Sequence, residues 1–154
     1  MATEIKPPAP LILDPHMPSL FLAGSIEQGR AVDWQTEVVT ALADIQVTIL
    51  NPRRAAWDAS WRQTIDNKPF RNQVEWELTA LERADLIAMY IAPETQAPIS
   101  LLELGLFAAA GKLIVCCPDG FWRKGNVDIV CARYAIPQVA DLTDLIGAVR
   151  QRLI

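Results

Sequence analysis

The run Leu86-Ile87-Ala88-Met89-Tyr90-Ile91-Ala92, the apolar segment from Ser100 to Ala110, and Leu113-Ile114-Val115-Cys116-Cys117 decide the fold. Near-continuous apolar runs of five to seven residues are the pattern of strands covered on both faces. The segment between them has helix length and closes at Gly111, so the unit reads strand, helix, strand. Toward the N-terminus, Ser19 to Ala23 (SLFLA) is a first strand stopping at Gly24. Residues 31–44 place Trp34, Val38, Ala41 and Leu42, with Ile45 just beyond, at helical spacing, and Val47 to Leu50 (VTIL) is a strand halted by Asn51-Pro52. Residues 52–71 form a connection without periodicity, and loops of that length inside a compact domain are often functional. Val74, Leu78 and Leu81 predict a helix over 72–83. Beyond Cys117, residues 126–134 read as a short helix, Ile136 to Val139 as an edge strand and Leu142 to Leu153 as the last helix.

Such alternation predicts an α/β domain over 19–154: a doubly wound, mainly parallel five-stranded sheet flanked by helices, flavodoxin-like or Rossmann-like. Ligands of these sheets bind beyond the carboxyl ends of the strands, where strand order reverses. Three loops therefore matter, spanning 24–30, 52–71 and 93–99.

The chain has 154 residues, about half of them apolar, with a net charge of −4. An acidic balance argues against a nucleic-acid polymer as partner but leaves room for a small nucleotide. No segment approaches the roughly 20 apolar residues of a membrane span. Residues 1–18 are proline-rich, lack the apolar stretch of a signal peptide and read as a tail that orders only on demand. Cys116 and Cys117 point to opposite faces of a strand, so reduced thiols and a cytoplasmic location are expected. A metal site is not expected: the only histidine is His16, in the tail.

Glu103 is the only charged side chain between Glu94 and Lys112. Ser100 and Glu103 match a capping box, in which the glutamate serves the helix start. The same placement suits chemistry, because a first helical turn keeps a carboxylate ionised, ready to attack or stabilise an oxocarbenium-like sugar carbon. Glu77 lies about 60° from the Val74–Leu78–Leu81 stripe, bordering the buried face, or else it is a partly exposed helix residue. Gly24-Ser25-Ile26-Glu27-Gln28-Gly29-Arg30 between strand and helix would let backbone amides approach a ligand oxygen, although neither common nucleotide fingerprint is present. Trp57 and Trp61, with Asp58 between them, could stack on a base or pin their loop to the body. Asn126, after Lys124-Gly125, reads in isolation as a turn or cap residue.

Together these residues resemble the nucleoside 2-deoxyribosyltransferase family from about Ser19 to Ala140. The resemblance rests on Phe21-Leu22-Ala23-Gly24-Ser25-Ile26, on Glu77 with Leu81, Ala84 and Asp85, and on Leu102-Glu103-Leu104-Gly105 followed by Ala110-Gly111-Lys112. Pro52-Arg53-Arg54, the paired tryptophans and Lys124-Gly125-Asn126-Val127-Asp128 are similar to one subgroup. The resemblance implies that Glu103 attacks C1′ and carries the 2-deoxyribosyl group covalently. It implies that Glu77 contacts the base and helps move its proton. Asn126 resembles an asparagine lent across a subunit interface to the neighbour's sugar, so a homo-oligomer with shared sites is implied, with no metal or redox cofactor. The remaining contacts to substrate would come from Gly24, Ser25, Ile26, Arg30, Trp57, Asp58, Trp61, Glu94 and Ser100.

Two positions depart from the family. Phe21 stands where relatives often have a tyrosine that orients the nucleophile, and Ala97 where transferases usually have an aspartate gripping the sugar. Glu94, Thr95 or Ser100 would substitute for the latter. Relatives that hydrolyse nucleoside 5′-monophosphates have a similar Gly-Ser-Ile loop. The alternatives to base exchange are therefore nucleotide hydrolysis, with Ser25, Ser100 and loop arginines around a phosphate, and a catalytically inactive nucleotide-binding module.

Overall fold

The computed structural model describes residues 1–54 and 58–154. In chain order the elements are β1 (Thr3–Ile5), β2 (Ser19–Gly24), α1 (Trp34–Ala41), β3 (Thr48–Leu50), α2 (Lys68–Arg83), β4 (Leu86–Tyr90), α3 (Pro98–Phe107), β5 (Leu113–Cys116), α4 (Lys124–Arg133), β6 (Gln138–Val139) and α5 (Leu142–Leu153). The strands form one sheet in the order β1-β3-β2-β4-β5-β6. Every pairing is parallel. The doubly wound α/β architecture is the one expected, with six strands rather than five.

The sixth strand comes from the proline-rich N-terminus. Thr3 to Ile5 pair with Thr48 to Leu50, and Asn51 Nδ2 donates to the Glu4 carboxylate at 2.9 Å. The chain then crosses α2, where Trp76 Nε1 donates to the Ala9 carbonyl and Arg83 to the Leu11 carbonyl. Ile5, Leu11 and Leu13 pack on the core beneath. Residues expected to stay loose thus close one edge of the sheet and strap one helix, through backbone carbonyls that leave no periodic signal.

Alternation along the strands splits the core into two layers. Phe21, Ala23, Ile87, Met89, Leu113 and Val115 meet Leu81 of α2, Leu104 of α3 and Val127 of α4. Leu20, Leu22, Leu86, Ala88, Ile114 and Cys116 meet Trp34 and Val38 of α1 and Leu145 and Val149 of α5. Among the described residues no helix is long and apolar enough to cross a membrane.

Strand order reverses between β2 and β4, whose carboxyl ends pair at Gly24 and Tyr90. There the chain needs a residue without a side chain. Gly24 has φ +143°, and a Cβ on it would sit 2.0 Å from the Tyr90 carbonyl oxygen and 2.8 Å from the Trp34 ring. Both obstacles belong to buried, packed elements, so neither can give way cheaply. Gly24→Ala is expected to lower stability by more than ~2 kcal/mol, read as a fall in the urea midpoint; an unchanged midpoint would contradict this account of the switch point.

Candidate active site

Two loops meet over the switch point and are fastened to each other. Ser25 donates its backbone N–H to the Tyr90 carbonyl, and its carbonyl accepts from Trp34 Nε1 at 3.1 Å. Its hydroxyl accepts from the Ala92 N–H at 3.0 Å and lies 2.7 Å from Thr95 Oγ1. Thr95 spends its own proton on the Ala92 carbonyl, so Ser25 must be the donor to Thr95. With 1 % of its surface accessible, Ser25 ties the loop after β2 to the loop after β4.

Glu27 makes the second fastening. It adopts φ +49°, and its carboxylate accepts from the N–H of Ala97, itself at φ +48°. Ala97 is the N-cap of α3 and has no side chain able to cap, so a carboxylate from the opposite loop supplies the negative group a helix start favours. The capping box expected from Ser100 and Glu103 does not form. The helix begins at Pro98, Ser100 is buried within its first turn, and Glu103 lies beyond that turn.

Glu103 is 7 % exposed, and the ionised state expected for it is not what this setting favours. Burial, reinforced by the charge of Glu77, pushes its carboxyl up to about 8. Glu77, half-buried on α2, is pushed up to about 7 by burial, while the side-chain amide of Gln73 and the charge of Arg54 pull the other way. The two carboxylates singled out from sequence thus lie near enough for the charge of Glu77 to act on Glu103. Their titration belongs to the pair rather than to either residue.

The consecutive arginines of the long loop divide their work. Arg53 donates to the carbonyls of Gly29, Ala31 and Val32 and to Gln35 Oε1, gripping the loop after β2. Arg54 turns the other way, donating Nε–H to Gln73 Oε1 at 2.5 Å and lying 4.9 Å over the Trp61 ring. Trp61 is half-buried there, the arrangement of an aromatic that pins its loop. Trp57 lies outside the described residues. Asp58 is exposed; its carboxylate accepts from the Ser60 N–H and hydroxyl, which hold it below the usual carboxylate range and make it a turn former. The loop is shorter than expected: α2 starts at Lys68 because Asn67 caps the Phe70 N–H and Pro69 suits a first turn.

Of the remaining residues, Ile26 is half-buried and its carbonyl closes the turn to Gly29 and Ala31. Arg30 is exposed and donates to the Glu27 carbonyl, and Glu94 is exposed. Asn126 is not a turn residue; it sits exposed in the first turn of α4. It lines a groove of about 340 Å³ with Leu101, Leu104, Gly105, Trp122 and Arg123, between α3 and α4. Sequence reasoning missed Glu27, Thr95 and Gln73 as organisers. Only Gln73 had a signal: it falls one turn before Glu77, on the same helix face.

A family model described as "Nucleoside 2-deoxyribosyltransferase like" matches residues 17–121. That span holds both fastened loops and both carboxylates, and ends just before α4. No curated protein matches the chain. The crystal structure of a conserved protein from Enterococcus faecalis V583 is similar, with a TM-score of 0.62 at 16 % identity over 89 % of this chain and 99 % of that one. At that identity the likeness concerns the fold. The family match covers well over half the sequence and contains the very residues the geometry gathers, so the chain belongs to the nucleoside 2-deoxyribosyltransferase-like family.

Proposed function

We propose that this chain is a nucleoside 2-deoxyribosyltransferase that exchanges the base of a 2′-deoxynucleoside through a covalent sugar ester on Glu103. The observation that carries the reading is the pair of carboxylates on α2 and α3, buried Glu103 and half-buried Glu77, both raised by burial, with the charge of Glu77 acting on Glu103. Breaking an N-glycosidic bond needs a nucleophile for C1′ and a proton for the leaving nitrogen. A carboxylate pair with one charge and one proton carries both. In the reactive form Glu103 is ionised and Glu77 protonated. A Glu103 oxygen forms the bond to C1′, the C1′–N electron pair goes to the base, and the proton passes from Glu77 to that nitrogen. A second base reverses the sequence, returning its proton to Glu77 and freeing Glu103. Contacts to a bound sugar and base set which of the two carboxyls carries the proton when the bond breaks.

Ser25 and Arg53 weigh against hydrolysis of a 5′-monophosphate. The Ser25 hydroxyl is buried and committed to Ala92 and Thr95, and Arg53 already serves four acceptors. The reading therefore favours an unphosphorylated nucleoside. Incubation with deoxyinosine and adenine should yield deoxyadenosine and hypoxanthine by chromatography, with Glu103→Ala folded and inactive. A pair that works with one proton also predicts a bell-shaped kcat/KM, falling below about pH 7 as both carboxyls protonate and above about pH 8 as both ionise. Free base without a new nucleoside would make the enzyme a hydrolase. Full activity in Glu103→Ala would remove the assignment altogether.

The proposal includes a homo-oligomer with shared sites. Ile99, Leu102 and Leu106 on α3, with Trp122 and Ile129 beside them, are each more than half exposed, and Asn126 lines the groove on this face. Sedimentation should find an oligomer that Leu102→Lys dissociates, with activity lost on dissociation. Asn126→Ala should lose activity while staying assembled. A fully active monomer would contradict shared sites.

A further inference from the structure

Among the described residues nine polar or charged side chains are buried, and seven of them hold a side-chain hydrogen bond inside the chain. The two that hold none are Ser100, 3 % exposed, and Glu103, 7 % exposed. They stand three residues apart on α3, so they are neighbours on one helix face, with Cβ atoms about 5–6 Å apart. Helical side chains lean toward the helix start, which brings the Glu103 carboxyl back toward Ser100. Among the described residues no side-chain oxygen or nitrogen sealed from water lacks a hydrogen bond. The small surface that Ser100 and Glu103 keep is therefore at their polar ends, and the hydroxyl and the carboxyl open side by side. A buried hydroxyl without a partner costs free energy. That cost is offset when a ligand supplies the partner.

We propose that Ser100 is a substrate-binding residue whose hydroxyl holds a hydroxyl of the sugar while Glu103 bonds to C1′. The proposal rests on the transferase reading and deepens it. A serine hydroxyl both donates and accepts, which complements a sugar hydroxyl. An anion such as a phosphate is disfavoured there, because the Glu103 carboxyl is the hydroxyl's neighbour. The other polar groups near the start of α3 are engaged or turned to solvent. Thr95 bonds to the Ala92 carbonyl and to Ser25, and the Glu27 carboxylate accepts from the Ala97 N–H. Glu94 is exposed. Ala97, where transferases usually have the aspartate that grips the sugar, has no polar side chain. Ser100, three residues further along, presents the hydroxyl that has no partner in the chain.

The test pairs stability with binding in the full chain. Ser100→Ala removes a hydroxyl that bonds to nothing in the chain and installs the best helix former. It should melt at the same temperature as the unsubstituted protein or higher. Binding is read by calorimetry in the Glu103→Ala background, where the nucleoside stays intact. Adding Ser100→Ala should weaken deoxyadenosine about three- to tenfold, the range of one neutral hydrogen bond, and leave adenine unchanged. The loss should vanish with an analogue that lacks the sugar hydroxyl concerned. 2′,3′-Dideoxyadenosine identifies the 3′ group and 2′,5′-dideoxyadenosine the 5′ group. A lower melting temperature would assign the hydroxyl to the fold and overturn the proposal. Unchanged binding of deoxyadenosine, equal weakening of all three nucleosides, or weakening of adenine would each do the same. An unsubstituted chain that binds no 2′-deoxynucleoside removes the transferase reading as well, whereas base exchange that Ser100→Ala leaves at full kcat/KM removes the proposal alone.

Discussion

Glu103 is buried and Glu77 half-buried on the same side of the sheet, burial raises both carboxyls, and charge on Glu77 makes charge on Glu103 costlier. A carboxylate in a low-dielectric setting is tolerated when it is paired, hydrogen-bonded or protonated. Here the charge of Arg54 and the amide of Gln73 favour the ionised form of Glu77, and burial favours the protonated form of Glu103. The fold must hold α2 and α3 at fixed positions over one face to sustain that arrangement. Much of the surrounding polar structure does so. Lys112, just before β5, donates to the carbonyls of Leu81, Glu82 and Ala84 and so satisfies the carboxyl end of α2. Glu27 satisfies the amino end of α3.

The same logic explains why the loops at the switch point are rigidly tied rather than left open. Gly24 lets β2 pass against the Tyr90 carbonyl without a side chain. Ser25 and Thr95 then join the two strand exits, and Arg53 gathers the carbonyls of the loop after β2. Two non-glycine residues, Glu27 and Ala97, accept left-handed backbone there and are hydrogen-bonded to each other. Such conformations persist only where neighbours over-determine them. Catalysis that depends on which of two carboxyls holds a proton needs this order, because small displacements change both burial and contact.

Strand runs such as Leu86 to Ala92 and Leu113 to Cys117 made the sheet readable, since a strand covered on both faces has almost no polar residue to confuse the pattern. Glu103 stood out as a lone charge in an apolar helix, and Glu77 by its angle to an apolar stripe. Their meeting across α2 and α3 is tertiary and was legible only through the family resemblance. The first strand escaped because three residues, two exposed and one half-buried, have no periodicity, and its partners are backbone groups. The helix start at Pro98 escaped because Ser100–Glu103 is a good local capping pattern that a long-range contact from Glu27 displaced. Ser25 and Arg53 looked like ligand groups, yet the Ser25 hydroxyl and both terminal nitrogens of Arg53 bond inside the chain, a fact that only the folded partners disclose.

The central claim is that Glu103 becomes bonded to the sugar. Rapid acid quenching during turnover of a 2′-deoxynucleoside, followed by peptide mass mapping, reads this directly. The account predicts one deoxyribosyl adduct, on the peptide holding Glu103, absent from Glu103→Ala and discharged by adding a second base. Turnover with no adduct on that peptide, or an adduct on another carboxylate, would contradict it.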